Sequence, residues 1–160
     1  MAQTKTNVMR LLEQNRIPYR QHSYPHGDTA VDGVTVAGLI GREPACVFKT
    51  LVARGATKTC YVFVIPVEAE LDLKKAAKAV GEKSVAMLHV SELLGATGYI
   101  RGGCSPIGMK KQYKTVYHSS ISALDTVIVS AGKIGQQVEI APEALIALTK
   151  GTIEELTTED

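Results

Sequence analysis

The chain has 160 residues, 45% of them hydrophobic and 21% charged, with a formal net charge of +2 at pH 7. That length suits one domain with a real core, and no apolar run approaches the roughly 20 residues of a bilayer span. So small a net charge does not announce nucleic acid by itself, so any RNA contact has to be local.

The opening residues Met1 to Lys5 carry no apolar signal core. Thr4 to Arg16 then has the period of an amphipathic helix, with Val8, Met9, Leu11 and Leu12 on one face and Thr4 or Thr6 as cap. Ile17-Pro18 ends it. Tyr19 to Tyr24 alternates as a short strand, and Pro25-His26-Gly27-Asp28 reads as a turn. Thr29 to Ile40 predicts a helix with Val31, Val34, Val36 and Leu39 inward and Gly41 closing it.

Cys46 to Ala53 is the most informative strand. It is apolar or β-branched between Pro44 and Gly55, except for Lys49 in its middle. An ammonium beside Phe48, Leu51 and Val52 either points to water or lines a cleft. In a cleft it needs an anionic partner or a lowered pKa, because desolvating an unpaired charge is costly. Thr59 to Val67 is a second apolar strand, making a hairpin. Leu71 to Val80 is a helix stopped at Gly81, with Lys74, Lys75 and Lys78 on its polar side. A short strand over Ser84 to Leu88 and a helical turn over Val90 to Leu94 follow.

Thr97 to Gly108 holds Gly98, Gly102, Gly103 and Gly108 with Pro106, which rules out regular structure throughout. Thr115 to His118 and Thr126 to Ser130 are strands. Ala131 to Gly135 is a turn, and Gln137 to Ile140 returns. Pro142 to Thr149 is a final helix, and the tail after Glu154 reads as frayed. Helices interspersed with hairpins predict a single α+β domain over residues 1–160. Its sheet is mixed and largely antiparallel, flanked by helices.

Several patterns suggest chemistry. His22-x3-His26 is interrupted by Pro25, which argues against a helical metal pair, so no metal site is expected. Cys46, Cys60 and Cys104 are odd in number with no CxxC pair, which suits free thiols in a reducing cytoplasm. Cys104 among glycines is either a nucleophile or a packed small thiol. Ser130-Ala131-Gly132-Lys133 lacks the flanking residues of a triphosphate loop. Lys110, Lys111 and Lys114 are either a solvated face or a local RNA contact.

Taken together, His22-x-Tyr24-x-His26, Val47 to Leu51, Leu71 to Ala77, Thr97-Gly98-Tyr99 with Gly102 to Gly108, and Val129 to Lys133 resemble the YbaK family. These are free-standing Cys-tRNA deacylases related to the editing domain of bacterial prolyl-tRNA synthetases. The likeness runs from about Thr4 to the last helix. It implies a curved sheet, no cofactor and a cytoplasmic protein. The implied substrate is tRNA(Pro) mischarged with cysteine, with Cys-tRNA(Cys) as a second candidate. Prolyl-tRNA synthetase is a candidate partner, and neither DNA nor a membrane is expected. The resemblance maps the family's key lysine onto Lys49 and its ester-facing loop glycine onto Gly102. Tyr24, Thr50, Gly103, Ser130 and Gln137 become substrate-binding, and Lys110 and Lys111 contact tRNA. Cys104 stands where Ile is commoner in the family, and Gln137 where Asp or a small polar residue is. In such enzymes the substrate thiol attacks its own ester. The alternatives are an Ala- or Ser-tRNA hydrolase of the same superfamily, a non-catalytic module binding tRNA or a synthetase, and a Cys104-nucleophile hydrolase.

Overall fold

The computed structural model describes residues 5–27 and 29–158. Thr4, one of the two expected caps, and Asp28, the end of the expected turn, lie outside them. Helix α1 (Asn7–Gln14) starts where Thr6 Oγ1 accepts the Met9 N–H at 3.3 Å, satisfying one unpaired first-turn donor. It buries Val8, Met9 and Leu12.

Helix α2 (Gly33–Leu39) is shorter than the expected Thr29 to Ile40. Asp32 caps it, taking the Thr35 N–H at 3.1 Å and the Thr35 hydroxyl at 2.6 Å. The later start changes the buried face: Val36 and Ala37 are buried, while Val34 and Leu39, expected inward, are each 47% exposed. Its C-terminus is a Schellman motif, with Arg42 N–H on Ala37 O at 2.9 Å and Gly41 N–H on Gly38 O at 3.2 Å. Helix α3 (Leu73–Val80) is capped by Asp72 and ends at Gly81, as expected. Helix α4 (Val90–Thr97) runs past the single turn read from sequence, and α5 is Pro142–Thr149.

The strands form two sheets rather than one. Strands β1 (Tyr19–Ser23), β7 (Gln136–Ile140) and β6 (Val127–Ser130) make an antiparallel sheet in the order β1-β7-β6. The other sheet has the order β4-β2-β3-β5-β8. Its members are β4 (Val85–Met87), β2 (Phe48–Gly55), β3 (Cys60–Pro66), β5 (Lys114–His118) and β8 (Thr152–Glu154). The β2–β3 hairpin and the β2–β4 pair are antiparallel, while β3–β5 and β5–β8 are parallel. The sheets meet at an isolated parallel bridge between Val47 and Ile128. Just before it, Pro44–Cys46 forms a 3-10 turn, where a proline without an N–H suits a break in pairing. The α+β class with mixed, mainly antiparallel pairing therefore stands, divided between two sheets.

Strand alternation gives β2 two apolar faces. Phe48 and Val52 join one core with Val62, Val64, Val129, Val138 and Ile140. Ala53 and Leu51 pack with Phe63, Ile65 and the α3 residues Ala76, Ala77 and Val80. Full burial of each large member contributes about 1.5–3 kcal/mol. The C-terminal segment is not frayed over its described length. β8 adds to the β5 edge, Leu156 is fully buried, and Lys75 Nζ donates to Thr157 O at 2.8 Å.

Candidate active site

A cavity of about 110 Å³ opens where the two sheets meet. The start of β2 supplies Val47, Phe48, Lys49 and Thr50. Facing strand ends supply Ser130 from β6 and Gln137 from β7. Tyr24, just past β1, is held there by its N–H on Gly135 O at 3.1 Å. The approach to α2 closes the remaining side with Val31, Gly33 and Val36, beside Val67 after β3. Gly33 leaves no room for a side chain: a Cβ there would lie 2.4 Å from Val67 Cγ1.

Lys49 takes the cleft rather than a fully solvated face. It is half-buried, and its pKa is lowered by desolvation, with the charge of Glu70 partly opposing this. It forms no ion pair within 4 Å among the described residues. Thr50 also lines the cavity, and its hydroxyl oxygen is buried with no hydrogen-bond partner among those residues. Buried polar atoms of native proteins are nearly always satisfied, so such an atom is what a bound polar ligand or water completes.

The glycine-rich loop is pinned at both ends. Thr97 Oγ1 donates to Leu93 O at 2.8 Å and accepts the Tyr99 N–H at 3.0 Å, while Tyr99 Oη donates to Ile107 O. Burial pushes the Tyr99 phenol up to about 12. Gly102 reaches the cavity with φ of +89°, and a Cβ would lie 2.7 Å from Ala30 Cβ, so glycine is required on both counts. Its N–H has no acceptor among the described residues, whereas the Gly103 N–H is taken up by Ile100 O at 3.0 Å. Gly103 is outside the cavity lining. It packs on the backbone of Lys133 and Ile134, where a Cβ would come within 3.2 Å. Of the two loop glycines expected at the site, the structure thus brings Gly102 to the cavity and places Gly103 behind it.

Ser130 and Gln137 are opposite one another in the β6–β7 ladder and both are buried. Ser130 Oγ accepts the Gly132 N–H at 3.2 Å, which leaves its own proton to donate. Cys104 lines the cavity too, but burial pushes its thiol up to about 12, with a hydrogen bond to Thr97 only partly countering this. Such a thiol stays protonated near neutrality, and its burial fits the packed-thiol alternative.

Lys110 and Lys111 are exposed and away from this cavity. Lys110 Nζ donates to Gly95 O at 3.3 Å, and Lys111 borders a separate cavity of about 210 Å³ between α1, residues 106–115 and α5. That larger space gathers none of the other expected site residues. His22 and His26 are turned to other uses: His22 Nε2 meets Glu139 at 2.7 Å, and His26 Nδ1 meets Gly27 O at 2.8 Å. Sequence reading missed the apolar wall of Val31, Val36 and Val67. Val31 and Val36 were expected to face inward, but nothing local marks them as cavity walls, because they meet Val67 only once α2 packs beside the end of β3.

A model of the aminoacyl-tRNA editing domain family matches residues 25–148. The chain is 48% identical over 159 residues to the Enterococcus faecalis protein named "Putative Cys-tRNA(Pro)/Cys-tRNA(Cys) deacylase EbsC", covering 99% of this chain and 97% of that one. Among solved structures, one described as "a putative trans-editing enzyme for prolyl tRNA synthetase" superposes with a TM-score of 0.82 at 22% identity, over 98% of this chain and 100% of its own. Hypothetical protein APE2540 superposes with a TM-score of 0.84 at 20% identity, over 94% and 99%. At those identities the structures speak to the fold.

Proposed function

Because the chain belongs to the aminoacyl-tRNA editing domain family, we propose that it is a trans-editing deacylase that removes cysteine from mischarged Cys-tRNA(Pro), and from Cys-tRNA(Cys) as a second substrate. One editing domain accounts for the described residues. The observation that carries the reading is the cavity itself. It is small, has apolar walls, and joins Lys49, Thr50, Gly102 and Ser130, while its one cysteine is held as a thiol by burial.

In this reading the aminoacyl group enters between Val36, Phe48 and Cys104, and Lys49 holds the tRNA 3′ end by its phosphate or hydroxyls. The substrate sulfur attacks the ester carbonyl carbon. A carbon–sulfur bond forms, the ester carbon–oxygen bond breaks, and the proton given up by the thiol is balanced by the one taken up on the leaving ribose oxygen, so that a cyclic thiolactone and free tRNA result. Holding the thiol at a near-attack distance supplies much of the rate, and the uncommitted Gly102 N–H stabilises the developing oxyanion. Ser130, Tyr24 and Gln137 close the pocket to larger side chains. Lys110 and Lys111, being remote from the cavity, are assigned to the tRNA body. The free cysteines and the tRNA substrate suit the cytoplasm, and prolyl-tRNA synthetase is the synthetase that such an enzyme would accompany.

Deacylation of Cys-, Ala- and Ser-tRNA by the purified protein tests the reading. Preferential release of cysteine is expected. Release of alanine or serine in preference would assign the water-dependent hydrolase instead, and inactivity on all of them would leave a binding module.

A further inference from the structure

Glu139 lies on the cavity side of the β1-β7-β6 sheet, two residues along β7 from Gln137 and therefore on the same face. It is 9% exposed, and its carboxylate is fully engaged. One oxygen meets His22 Nε2 at 2.7 Å and Arg42 at 2.8 Å, and the other takes the Thr126 hydroxyl at 2.5 Å. His22 is the residue opposite Gln137 in the β1–β7 ladder. Burial alone would raise the Glu139 pKa, but the bonds from Thr126 and His22 and the Arg42 charge outweigh it and hold the carboxyl below its usual range.

Arg42 is the other half of the arrangement. It is the residue whose N–H completes the Schellman motif of α2, so its backbone moves with that helix. The helix lies on the same sheet face, with Ala37 in one cluster with Val47, Val67 and Ile128. Its approach and first turn form the cavity wall through Val31, Gly33 and Val36. The opposite end is therefore tied to the sheet by Arg42 on Glu139, across the face that carries Gln137 and Ser130. Apart from Val36 and Ala37, which are buried, α2 offers the sheet little: it is seven residues long, and Val34 and Leu39 face outward. Isolated helices of that length do not persist in water.

We propose that Arg42 and Glu139 form a latch that fixes α2 over the cavity, making both of them positioning residues that set how tightly the pocket discriminates its aminoacyl group. Neither residue lines the cavity. The pair acts through Val31 and Val36 on one side and Gln137 on the other. The discrimination part of this inference rests on the deacylase reading; the mechanical part does not.

Arg42→Ala tests it, because Arg42 is on the rim and its loss spares the core. Amide hydrogen exchange should quicken at least tenfold at Val36 and Ile40 of the variant. Val138 in β7 and the thermal midpoint should hold. Deacylation of Cys-tRNA should show a raised KM with kcat nearly unchanged, and preference over correctly charged Pro-tRNA should fall roughly tenfold. Arg42→Lys, which keeps a cation within reach of Glu139, should recover most of both effects. Unchanged exchange in α2 would overturn the latch, as would exchange quickening uniformly through the protein. Altered exchange with unaltered discrimination would overturn the positioning role. A wild-type protein inactive on every aminoacyl-tRNA would instead defeat the deacylase reading, with the exchange comparison still deciding the latch.

Discussion

Ser130 and Gln137 face one another across the β6–β7 ladder and both look into the same cavity. The pairing fixes their separation by backbone geometry rather than by side-chain choice. Ser130 is held as an acceptor for Gly132 N–H, so its hydroxyl proton has a defined direction. Ser130→Ala should lower kcat/KM for Cys-tRNA by about tenfold, the size of one lost hydrogen bond of 1–1.5 kcal/mol. Gln137→Ala, which enlarges the pocket opposite, should instead relax preference for cysteine. The check is kcat/KM on Cys-, Ala- and Pro-tRNA for each variant; equal losses on all three substrates would mean that neither residue sets selectivity.

Lys49 is half-buried without an ion pair among the described residues, and its pKa is depressed by desolvation against the pull of Glu70. A cation kept in that state is stabilised when an anion arrives. Lys49→Ala should leave the fold intact and cut deacylation on the order of 10²–10³-fold, the usual cost of losing one electrostatic stabiliser. Lys49→Arg should also be poor, because a planar fork does not replace a compact ammonium. Single-turnover rates on folded variants settle this; near wild-type turnover by Lys49→Ala would remove Lys49 from the site.

Cys104 is buried and its thiol is pushed up to about 12. Cys104→Ala should therefore retain most activity, with a stability loss of about 1 kcal/mol for the deleted buried group. Iodoacetamide should label it slowly and without protection by substrate. A folded but inactive Cys104→Ala, together with substrate-protected labelling, would restore the thiol nucleophile.

The elements read best from sequence were those whose signals are local. Gly81 closes α3, Thr6 caps α1, and β2 and β3 pair across a short turn. Lys49 was visible because a charge interrupts an apolar strand. What escaped was long-range. The β3–β5 parallel pair joins residues roughly fifty positions apart, and no turn signal announces such a pairing. β8 was not read as a strand, and Leu156 fell in the tail after Glu154 that read as frayed, because few apolar residues mark the segment, yet the β5 edge and the start of α3 give them partners. Asp32 as the cap of α2 was missed because valines on both sides of it extended the apparent helix.

His118 fastens that tail. Its Nδ1 accepts the Leu156 N–H at 3.1 Å, and its Nε2 lies 3.4 Å from Thr157 Oγ1. Accepting at Nδ1 requires a neutral ring. Burial lowers the His118 pKa, Glu155 opposes this, and Lys75 adds to it. The unfolded chain therefore binds the proton more readily than the folded one. The contribution to stability is complete above an unfolded pKa of about 6.5 and is lost as pH falls from there through the lowered folded value. Urea midpoints should drop between pH 7.5 and pH 5.5, with Leu156 amide exchange quickening in step. His118→Gln should flatten that slope; an unchanged slope would assign the pH dependence elsewhere.

The last expectation concerns the attacking atom. Burial holds Cys104 as a thiol. The cavity offers Lys49, Thr50, Gly102 and Ser130, which can grip and polarise an ester, and no base is hydrogen-bonded to the Thr50 or Ser130 hydroxyl among the described residues. Cleavage should then depend on the substrate's own thiol, so Ser-tRNA should react poorly although serine is nearly isosteric. A thiol with a reference pKa of about 8.5 is partly ionised near neutrality, whereas a serine hydroxyl is not. The single-turnover rate should rise with pH through the substrate thiol's pKa. In ¹⁸O water the first product should be an unlabelled thiolactone that takes up label only as it later hydrolyses. Label in the first-formed cysteine carboxyl group, with no thiolactone at the earliest times, would mean that water attacks directly and that the pocket serves to activate it.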